Sequence, residues 1–166
     1  MKIVKTVPDS FYEGRPFEEI DVVKDVIAQV RARGDDAVRA YTKTFDNLDM
    51  PSFEVTQEDI EHAYDSVDER VINAITVAHG HIKEFAEIQV ASLKDFELKS
   101  HWSVLGQKII PIDTVGCYVP GGRYPLPSSA LMSITPARVA GVENIVVCSP
   151  KIRNETIIAA DIAGAD

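Results

Sequence analysis

The chain is poor in cysteine and in positive charge. It has two cysteines, Cys117 and Cys148, and 17 basic residues against 26 acidic ones, which gives a net charge of −9. Two cysteines are too few for a disulfide framework or a Cys-rich metal site, and we expect both to be buried free thiols in apolar strands. Without a basic stripe, the chain cannot neutralise the phosphates of nucleic acid or an anionic membrane surface. We therefore predict neither partner.

The sequence also lacks a long apolar run and a metal-binding histidine pattern. No stretch is long enough to span a bilayer, and residues 1–4 lack the apolar core of a signal peptide. His79 and His81 are two residues apart and point to different faces of a helix, and His62 is distant, so we predict no metal site on them. Hydrophobic residues still make up 45% of the 166 residues, enough for an ordinary core. These features predict a soluble, cytoplasmic protein.

Helical periodicity dominates the first half of the chain, after an extended arm at residues 1–16. A first helix follows this arm and ends at Gly34, and Asp35 caps a second helix. Thr56 begins a capping box that opens the longest helical stretch. This stretch either continues as one helix or breaks near residues 67–68.

The period changes near residue 95, where a hairpin is predicted. Apolar and polar residues alternate from Phe96 to Val104, which is typical of a half-buried strand. Residues 105–107 should turn the chain, and residues 108–112 should pair back as a second, apolar strand. We expect Trp102 in this hairpin to pack against the protein and not to bind a ligand.

Residues 115–129 read VGCYVPGGRYPLPSS and carry the strongest functional signal. A strand that passes through a Pro-Gly-Gly turn into a helix can lay backbone amides against a phosphate-bearing ligand. The helix is predicted at residues 130–141, with Ser128 as its N-cap, and Pro136 should kink or break it. The stretch lacks G-x-G-x-x-G, so its spacing alone leaves two readings open, a ligand cradle or an ordinary turn.

A strand at residues 144–148 and a helix at residues 154–163 follow. Strand–loop–helix–strand–helix is the beginning of a doubly wound α/β domain, which needs more strands than these. We therefore predict an α/β fold in which a helical N-terminal region with a small hairpin leads into an incomplete Rossmann-like doubly wound parallel sheet. The predicted domains are the arm (1–16), the helix-rich region with the hairpin (17–114) and the first, truncated part of a Rossmann-like domain (115–166).

The amino-acid sequence of residues 115–150 resembles that of the histidinol dehydrogenase family. Its members read V-G-x-Y-V-P-G-G, then P-L-x-S-x-x-L-M, then P-A-x-V-A-G-V, and then a strand that ends in Ser/Thr-Pro. The family runs to more than twice this length, so the resemblance implies the N-terminal part of such an enzyme, cut short or encoded as a fragment. The matching residues are Val115, Gly116, Tyr118, Val119, Pro120, Gly121, Gly122, Pro125, Leu126, Ser128, Leu131, Met132, Pro136, Ala137, Val139, Ala140, Gly141 and Val142.

The resemblance implies a function and a set of site residues. The family is a homodimeric oxidoreductase that oxidises L-histidinol to L-histidine through histidinal in two NAD-dependent steps, at the end of histidine biosynthesis. Its zinc ligands and its acid–base pair lie in its later half, so no catalytic or metal-binding residue is implied here, and the chain alone should be inactive. Residues 115–166 are implied to be the first part of the NAD-binding domain, in which Tyr118 contacts NAD. The other implied cofactor-binding residues are Pro120, Gly121 and Gly122, which shape the pocket, and Ser128 and Ser129 at the helix start.

Two alternatives stay open at this point. Arg123-Tyr124 replaces the small residues of many family members and also occurs in related dehydrogenases that act on another small alcohol, such as a sulfonated propanediol, although residues 125–129 favour the histidinol enzyme. Arg123 could meet a cofactor phosphate or be a solvated loop cation. A non-catalytic helical assembly module is the second alternative. A gene that continues past Asp166 into zinc-binding residues would favour the enzyme.

Overall fold

The computed structural model describes residues 18–121 and 124–166, which fall into two compact units divided between Ser52 and Phe53. The predicted arm at 1–16 lies outside the described residues. The predicted division at residues 114 and 115 stays a prediction about the domains of a longer enzyme. No helix within the described ranges has the length and apolar character needed to cross a membrane.

The first unit contains helix α1 at Glu18–Arg33 and helix α2 at Asp35–Tyr41, followed by a π-helical turn at Thr42–Asp46. The predicted end of α1 at Gly34 is confirmed. The prediction that Asp35 caps α2 is wrong, because Gly34 is the N-cap and Asp35 is the first helical residue. The Gly34 N–H donates to the Val30 carbonyl, and the Gly34 carbonyl accepts from the next turn, so one residue closes α1 and opens α2.

Two helices replace the long helical stretch of the second unit, namely α3 at Gln57–Ser66 and α4 at Glu69–Ser92. The capping box is confirmed, since the Asp59 amide donates to Thr56 Oγ1 at 3.3 Å and the Thr56 amide donates to Asp59 Oδ2 at 2.8 Å. The chain breaks at residues 67–68, which was the second of the two alternatives that the sequence left open. There the Asp68 carboxylate accepts the Arg70 amide at 2.8 Å and starts α4.

The hairpin exists, but its turn was predicted in the wrong place. Strands β1 at Phe96–Lys99 and β2 at Val104–Gln107 are antiparallel. Residues 100–103 form the turn, which closes where the Ser100 hydroxyl accepts the Ser103 amide at 3.0 Å. Both strands are exposed and not half-buried. Trp102 does not pack as predicted, because it lies in the turn with 91% of its surface exposed.

The predicted strand at residues 108–112 is absent, and the next strand, β3, spans Thr114–Tyr118. The Ile109 amide donates to the Asp95 carboxylate at 2.7 Å, and Pro111 has no N–H. The predicted partner of the 108–112 strand, residues 96–99, pairs with β2 instead. Strand β4 at Asn144–Cys148 pairs in parallel with β3, as predicted, and Tyr118 lies opposite Cys148.

Helix α5 at Pro127–Val139 connects β3 to β4, and helix α6 at Asn154–Ala163 follows β4 with its predicted bounds. Strand–helix–strand–helix order with parallel pairing confirms the predicted α/β class and the start of a Rossmann-like sheet. The core lies between one face of this sheet and helices α3 to α6. Its fully buried members include Val119, Ala130, Leu131, Ile134, Ile145, Ile158 and Ala159.

Strand alternation sends the two cysteines to opposite faces of the sheet. Cys117 is buried, as predicted, whereas the prediction for Cys148 is wrong because its side chain is exposed. Cys117 pairs with Val147, and Tyr118 pairs with Cys148, so successive residues alternate between the core face and the open face. The open face therefore presents Tyr118 and Cys148 side by side.

Helix α5 differs from its prediction at both its start and its middle. It begins at Pro127, with Leu126 as N-cap, so Ser128 is not the cap. Proline suits the first helical position because its fixed φ is helical and its missing N–H is not needed there. Pro136 does not break the helix. Pro136 has no N–H to donate to the Met132 carbonyl, and both residues lie on the exposed side of the helix. The buried side chain of Ile134 keeps the same turn packed in the core.

Arg138 ties the far end of this βαβ unit together. Its guanidinium donates to the carbonyls of Val142 and Glu143 at 3.2 and 3.0 Å, and also to the Gly164 carbonyl. It pairs with Asp166 at 2.9 Å, and the Asp166 carboxylate accepts the Ile145 amide at 2.6 Å. These contacts lower the pKa of Asp166, the backbone amide being the larger cause. One side chain thus connects the C-terminal ends of α5 and α6 with the start of β4.

Two polar contacts fix α3 against α6. The Tyr64 hydroxyl donates to Asp161 at 2.7 Å, and the side-chain Nδ2 of Asn154 donates to the Ser66 hydroxyl at 2.7 Å. Burial and the carboxylate of Asp161 raise the pKa of Tyr64 to about 12. The tyrosine therefore stays protonated and remains a donor at neutral pH.

Candidate functional site

The candidate site is the edge of the sheet where β3 and β4 both end. In parallel sheets, ligands bind in the crevice outside the carboxyl ends of the strands. Tyr118 is the last residue of β3, and 64% of its surface is exposed. The next residue, Val119, is fully buried, and its N–H donates to the Cys148 carbonyl at 2.9 Å. The backbone is thus fixed in place directly beside an exposed aromatic ring.

The loops that follow the two strands run next to each other. After β3 comes Pro120, which is exposed, and then Gly121, which lies against Ser149 and Pro150 of the loop after β4. Lys151 then adopts a left-handed conformation, with φ of 48°, before α6 begins. The two loops therefore form one continuous surface at the carboxyl edge.

The start of α5 adds polar groups to the same edge. Pro127 has no N–H, and the Ser129 amide donates to the Leu126 carbonyl at 3.0 Å. Ser128 is exposed, Ser129 is partly buried, and neither hydroxyl bonds to another residue in the described part of the chain. What this end offers a ligand is the Ser128 amide, two hydroxyl groups and the positive end of the helix dipole.

Five of the six residues predicted to bind NAD lie in these segments. Gly122 lies outside the described residues, as does Arg123. Sequence reasoning missed Cys148, Ser149 and Pro150, which the parallel pairing brings beside Tyr118 and Gly121. The sequence did contain a signal for these residues. A Ser-Pro pair follows an apolar strand of the parallel type, and parallel strands end at a shared edge of the sheet. The predicted residues described here are Tyr118, Pro120 and Gly121 after β3, and Ser128 and Ser129 in the first turn of α5.

The chemistry of this edge suits binding more than proton transfer. It combines a tyrosine ring, three serine hydroxyls, one thiol and backbone groups, which can hold a ligand with aromatic and phosphate parts. Across residues 18–121 and 124–166, no group of three His, Cys, Asp or Glu side chains could hold a metal ion. The residues of this chain that we can describe therefore fit a dinucleotide but not zinc.

A separate groove of about 380 Å³ lies at the opposite end of α5 and contains none of the predicted NAD residues. His79 of α4 lines it, and its Nδ1 lies 3.1 Å from the Thr135 hydroxyl of α5. Burial lowers the pKa of His79, and the nearby Lys83 lowers it further. Arg138 and Asp166 are the other charged groups that line this groove.

The lowered pKa of His79 should make the stability of the fold decrease in mild acid. A histidine with a depressed pKa binds protons more readily in the unfolded chain, so the stability that it contributes is complete above the unfolded-state pKa and is lost as pH falls. We expect the free energy of unfolding to decrease below about pH 6.5. Urea unfolding followed by circular dichroism between about pH 8 and pH 5 measures this decrease.

Two matched variants isolate the contribution of His79. His79→Gln should flatten the pH dependence in this window, because the group that titrates at the α4–α5 contact is gone. His81→Gln makes the same chemical change at an exposed position two residues away and should retain the slope. Equal slopes in the two variants would contradict the assignment.

Comparisons with known proteins agree on one family. The family model described as histidinol dehydrogenase matches residues 15–166. The chain is 42% identical over 151 residues to a histidinol dehydrogenase from Methanococcus maripaludis and 43% identical over 154 residues to one from Methanocaldococcus jannaschii. Each match covers 89% of this chain and 36% of the relative. The chain thus spans little more than a third of the length of these relatives.

A solved structure gives the same result. The crystal structure of histidinol dehydrogenase from Elizabethkingia anophelis superposes with a TM-score of 0.83 at 26% sequence identity. The match covers 92% of this chain and 36% of that chain. Both sequence and fold therefore resemble one segment of a longer enzyme.

Proposed function

Because the chain belongs to the histidinol dehydrogenase family, we propose that it forms the N-terminal part of an NAD-dependent enzyme that oxidises L-histidinol to L-histidine through histidinal. The reaction completes histidine biosynthesis in the family that the sequence resembles. The observation that carries the proposal is the shared carboxyl edge of β3 and β4, where Tyr118 is exposed beside the N-terminus of α5. Substrate and complete activity belong to the whole enzyme, of which this chain is a segment.

The proposed role of this edge is to bind and orient the cofactor. When bound, NAD accepts the hydride from the alcohol carbon. The Tyr118 ring packs against the dinucleotide and its hydroxyl forms a hydrogen bond to it, while Pro120 and Gly121 form the wall beside it. Ser128 and Ser129 place hydroxyls and the positive end of α5 near the phosphates. Each of these contacts fixes the position of the cofactor and leaves proton transfer to groups outside this chain.

Zinc has no assigned ligand in this chain. Among the described side chains, no cluster has the donor set that zinc requires. We therefore derive no step through the metal here, and we keep zinc in the proposal as a component of the full-length enzyme. A homodimer and a cytoplasmic location are likewise proposed from the family resemblance.

The histidinol reading is preferred over the two alternatives. The relatives named above are histidinol dehydrogenases, and the fold matches one of them at a TM-score of 0.83. Arg123-Tyr124 suggested a related dehydrogenase for another small alcohol, but the two relatives named above are both histidinol dehydrogenases. A non-catalytic assembly module gives no reason for the exposed ring at the end of β3.

Replacing Tyr118 tests the cofactor assignment in a full-length enzyme that contains this sequence. Tyr118→Phe keeps the ring and removes the hydroxyl, which should cost about 0.5–1.5 kcal/mol, or up to roughly 3 if a buried partner is left unpaired. We expect the KM for NAD to rise by between a fewfold and about a hundredfold. Steady-state kinetics with NAD as the varied substrate measures the change. The melting temperature without cofactor should hardly move, because the side chain is exposed.

Tyr64→Phe is the matched control, since it deletes a hydroxyl that bonds within the protein. It should lower the free energy of unfolding by about 0.5–1.5 kcal/mol and leave the KM for NAD unchanged. The two variants thus predict opposite outcomes. A loss of stability in Tyr118→Phe with an unchanged KM would show that Tyr118 is a structural residue.

A further inference from the structure

Gly121 makes the closest approach between the two loops at the carboxyl edge. A Cβ built on this residue would lie closer than 3.0 Å to the Pro150 carbonyl oxygen, a separation that real Cβ atoms essentially never show. It would also meet the Ser149 hydroxyl at 3.0 Å. The neighbouring backbone, and not a flexible side-chain tip, therefore excludes any larger residue here.

The contact begins where the hydrogen-bond ladder ends. The last rung among the described residues joins the Val119 amide to the Cys148 carbonyl at 2.9 Å. Pro120 and Pro150 have no N–H, so neither can donate another rung. Beyond this point, direct packing of Gly121 on Pro150 keeps the two main chains together. Tyr118 lies one residue before Val119, so its position depends on both contacts.

We propose that Gly121 is a positioning residue of the cofactor site, which holds the Tyr118–Gly121 segment against the Ser149–Pro150 loop. This inference rests on the proposed function. Besides its proposed place in the pocket wall, Gly121 thus has a contact with the protein itself that the sequence did not suggest. The glycine is needed for space at this position, and its effect on NAD is transmitted through Tyr118 and Pro120.

The test is Gly121→Ala in a full-length enzyme that contains this sequence. The methyl group must push the two loops apart, so the KM for NAD should rise by at least about tenfold. A merely structural role would instead lower the amount of folded enzyme, and therefore kcat, while leaving this KM unchanged. Gly80→Ala is the matched control, because its Cβ would meet no atom within 4 Å. Its KM should stay within about twofold of the unmodified enzyme.

A second variant covers the case in which Gly121→Ala does not fold. Pro150→Gly adds no atom and loosens the loop that Gly121 packs on, so the KM for NAD should rise a fewfold while the circular dichroism spectrum is unchanged. An unchanged KM in every folded variant would overturn the proposal.

A readout without cofactor separates this proposal from the proposed function. The measurement is the NMR signal of the Tyr118 ring in the chain with ¹³C-labelled tyrosine, assigned by its loss in Tyr118→Phe. This signal should shift in Gly121→Ala. If that variant does not fold, the signal should shift in Pro150→Gly. It should not shift in Gly80→Ala. An unchanged Tyr118 signal would contradict the positioning role, regardless of the activity of the full-length enzyme. A full-length enzyme that does not oxidise histidinol with NAD would contradict the proposed function only. The Tyr118 ring signal would still test the role of Gly121.

Discussion

L-Histidinol should remain unoxidised when the 166-residue chain is incubated alone with NAD. Removing a hydride from an alcohol requires a base for the hydroxyl proton and, in this family, a metal that polarises the oxygen. The family resemblance implies that both lie in the later half of the enzyme, and no described cluster of His, Cys, Asp or Glu in this chain could replace the metal site. NADH formation, followed by its absorbance, should therefore equal the background rate.

A full-length histidinol dehydrogenase, such as that from Methanococcus maripaludis, serves as the positive control under the same conditions. The chain should also remain inactive after addition of zinc, because the missing component is a set of ligands and not the ion. NADH formation that is proportional to the chain and survives repurification would contradict the prediction. It would also mean that part of the catalytic site lies within these residues.

Ile134→Ala should lower the free energy of unfolding by about 2–5 kcal/mol, the usual cost of deleting most of a fully buried aliphatic side chain. Ile134 is 0% exposed on the face of α5 that enters the core. The loss combines the transfer of the removed carbons with the cavity that remains when neighbours relax only partly. Urea unfolding of the chain at neutral pH measures it as a shift of the midpoint with a similar slope.

Met132→Ala on the same helix provides the control. Met132 is 67% exposed, so truncating it leaves no cavity and should change the stability by no more than about 0.5 kcal/mol. Alanine also has the higher helix propensity, which limits any loss. A comparable loss in both variants would mean that α5 does not pack through its Ile134 face in solution.

Several elements could be predicted because their cause is local. The Thr56 capping box, the end of α1 at Gly34 and the bounds of α6 each follow from residues within one or two turns of the chain. The break between α3 and α4 was visible as an alternative for the same reason, since Asp68 is a good N-cap. Helix α5 shows the limit of this approach. A proline that should break a helix is tolerated because buried neighbours hold the turn in place.

Part of the candidate site lies in one stretch of sequence for a similar reason. Tyr118, Pro120 and Gly121 belong to one continuous segment, so a sequence pattern could identify them together. Ser149 and Pro150 lie almost thirty residues further along, and only the parallel pairing of β3 with β4 places them against Gly121. The second strand of the hairpin was misplaced, because residues 96–99 pair with Val104–Gln107 and the Ile109 amide donates to Asp95 instead of to a neighbouring strand.

The sequence by itself determined the order of the elements, the family resemblance and the segment that ends β3, because these depend on neighbours along the chain. The tertiary structure decided which residues meet across the chain. Parallel pairing put the ends of β3 and β4 at one edge, and strand alternation buried Cys117 while exposing Cys148. The close approach of Pro150 explains why Gly121 must be glycine, since a steric limit between two loops depends on a distance in space that the local sequence does not specify.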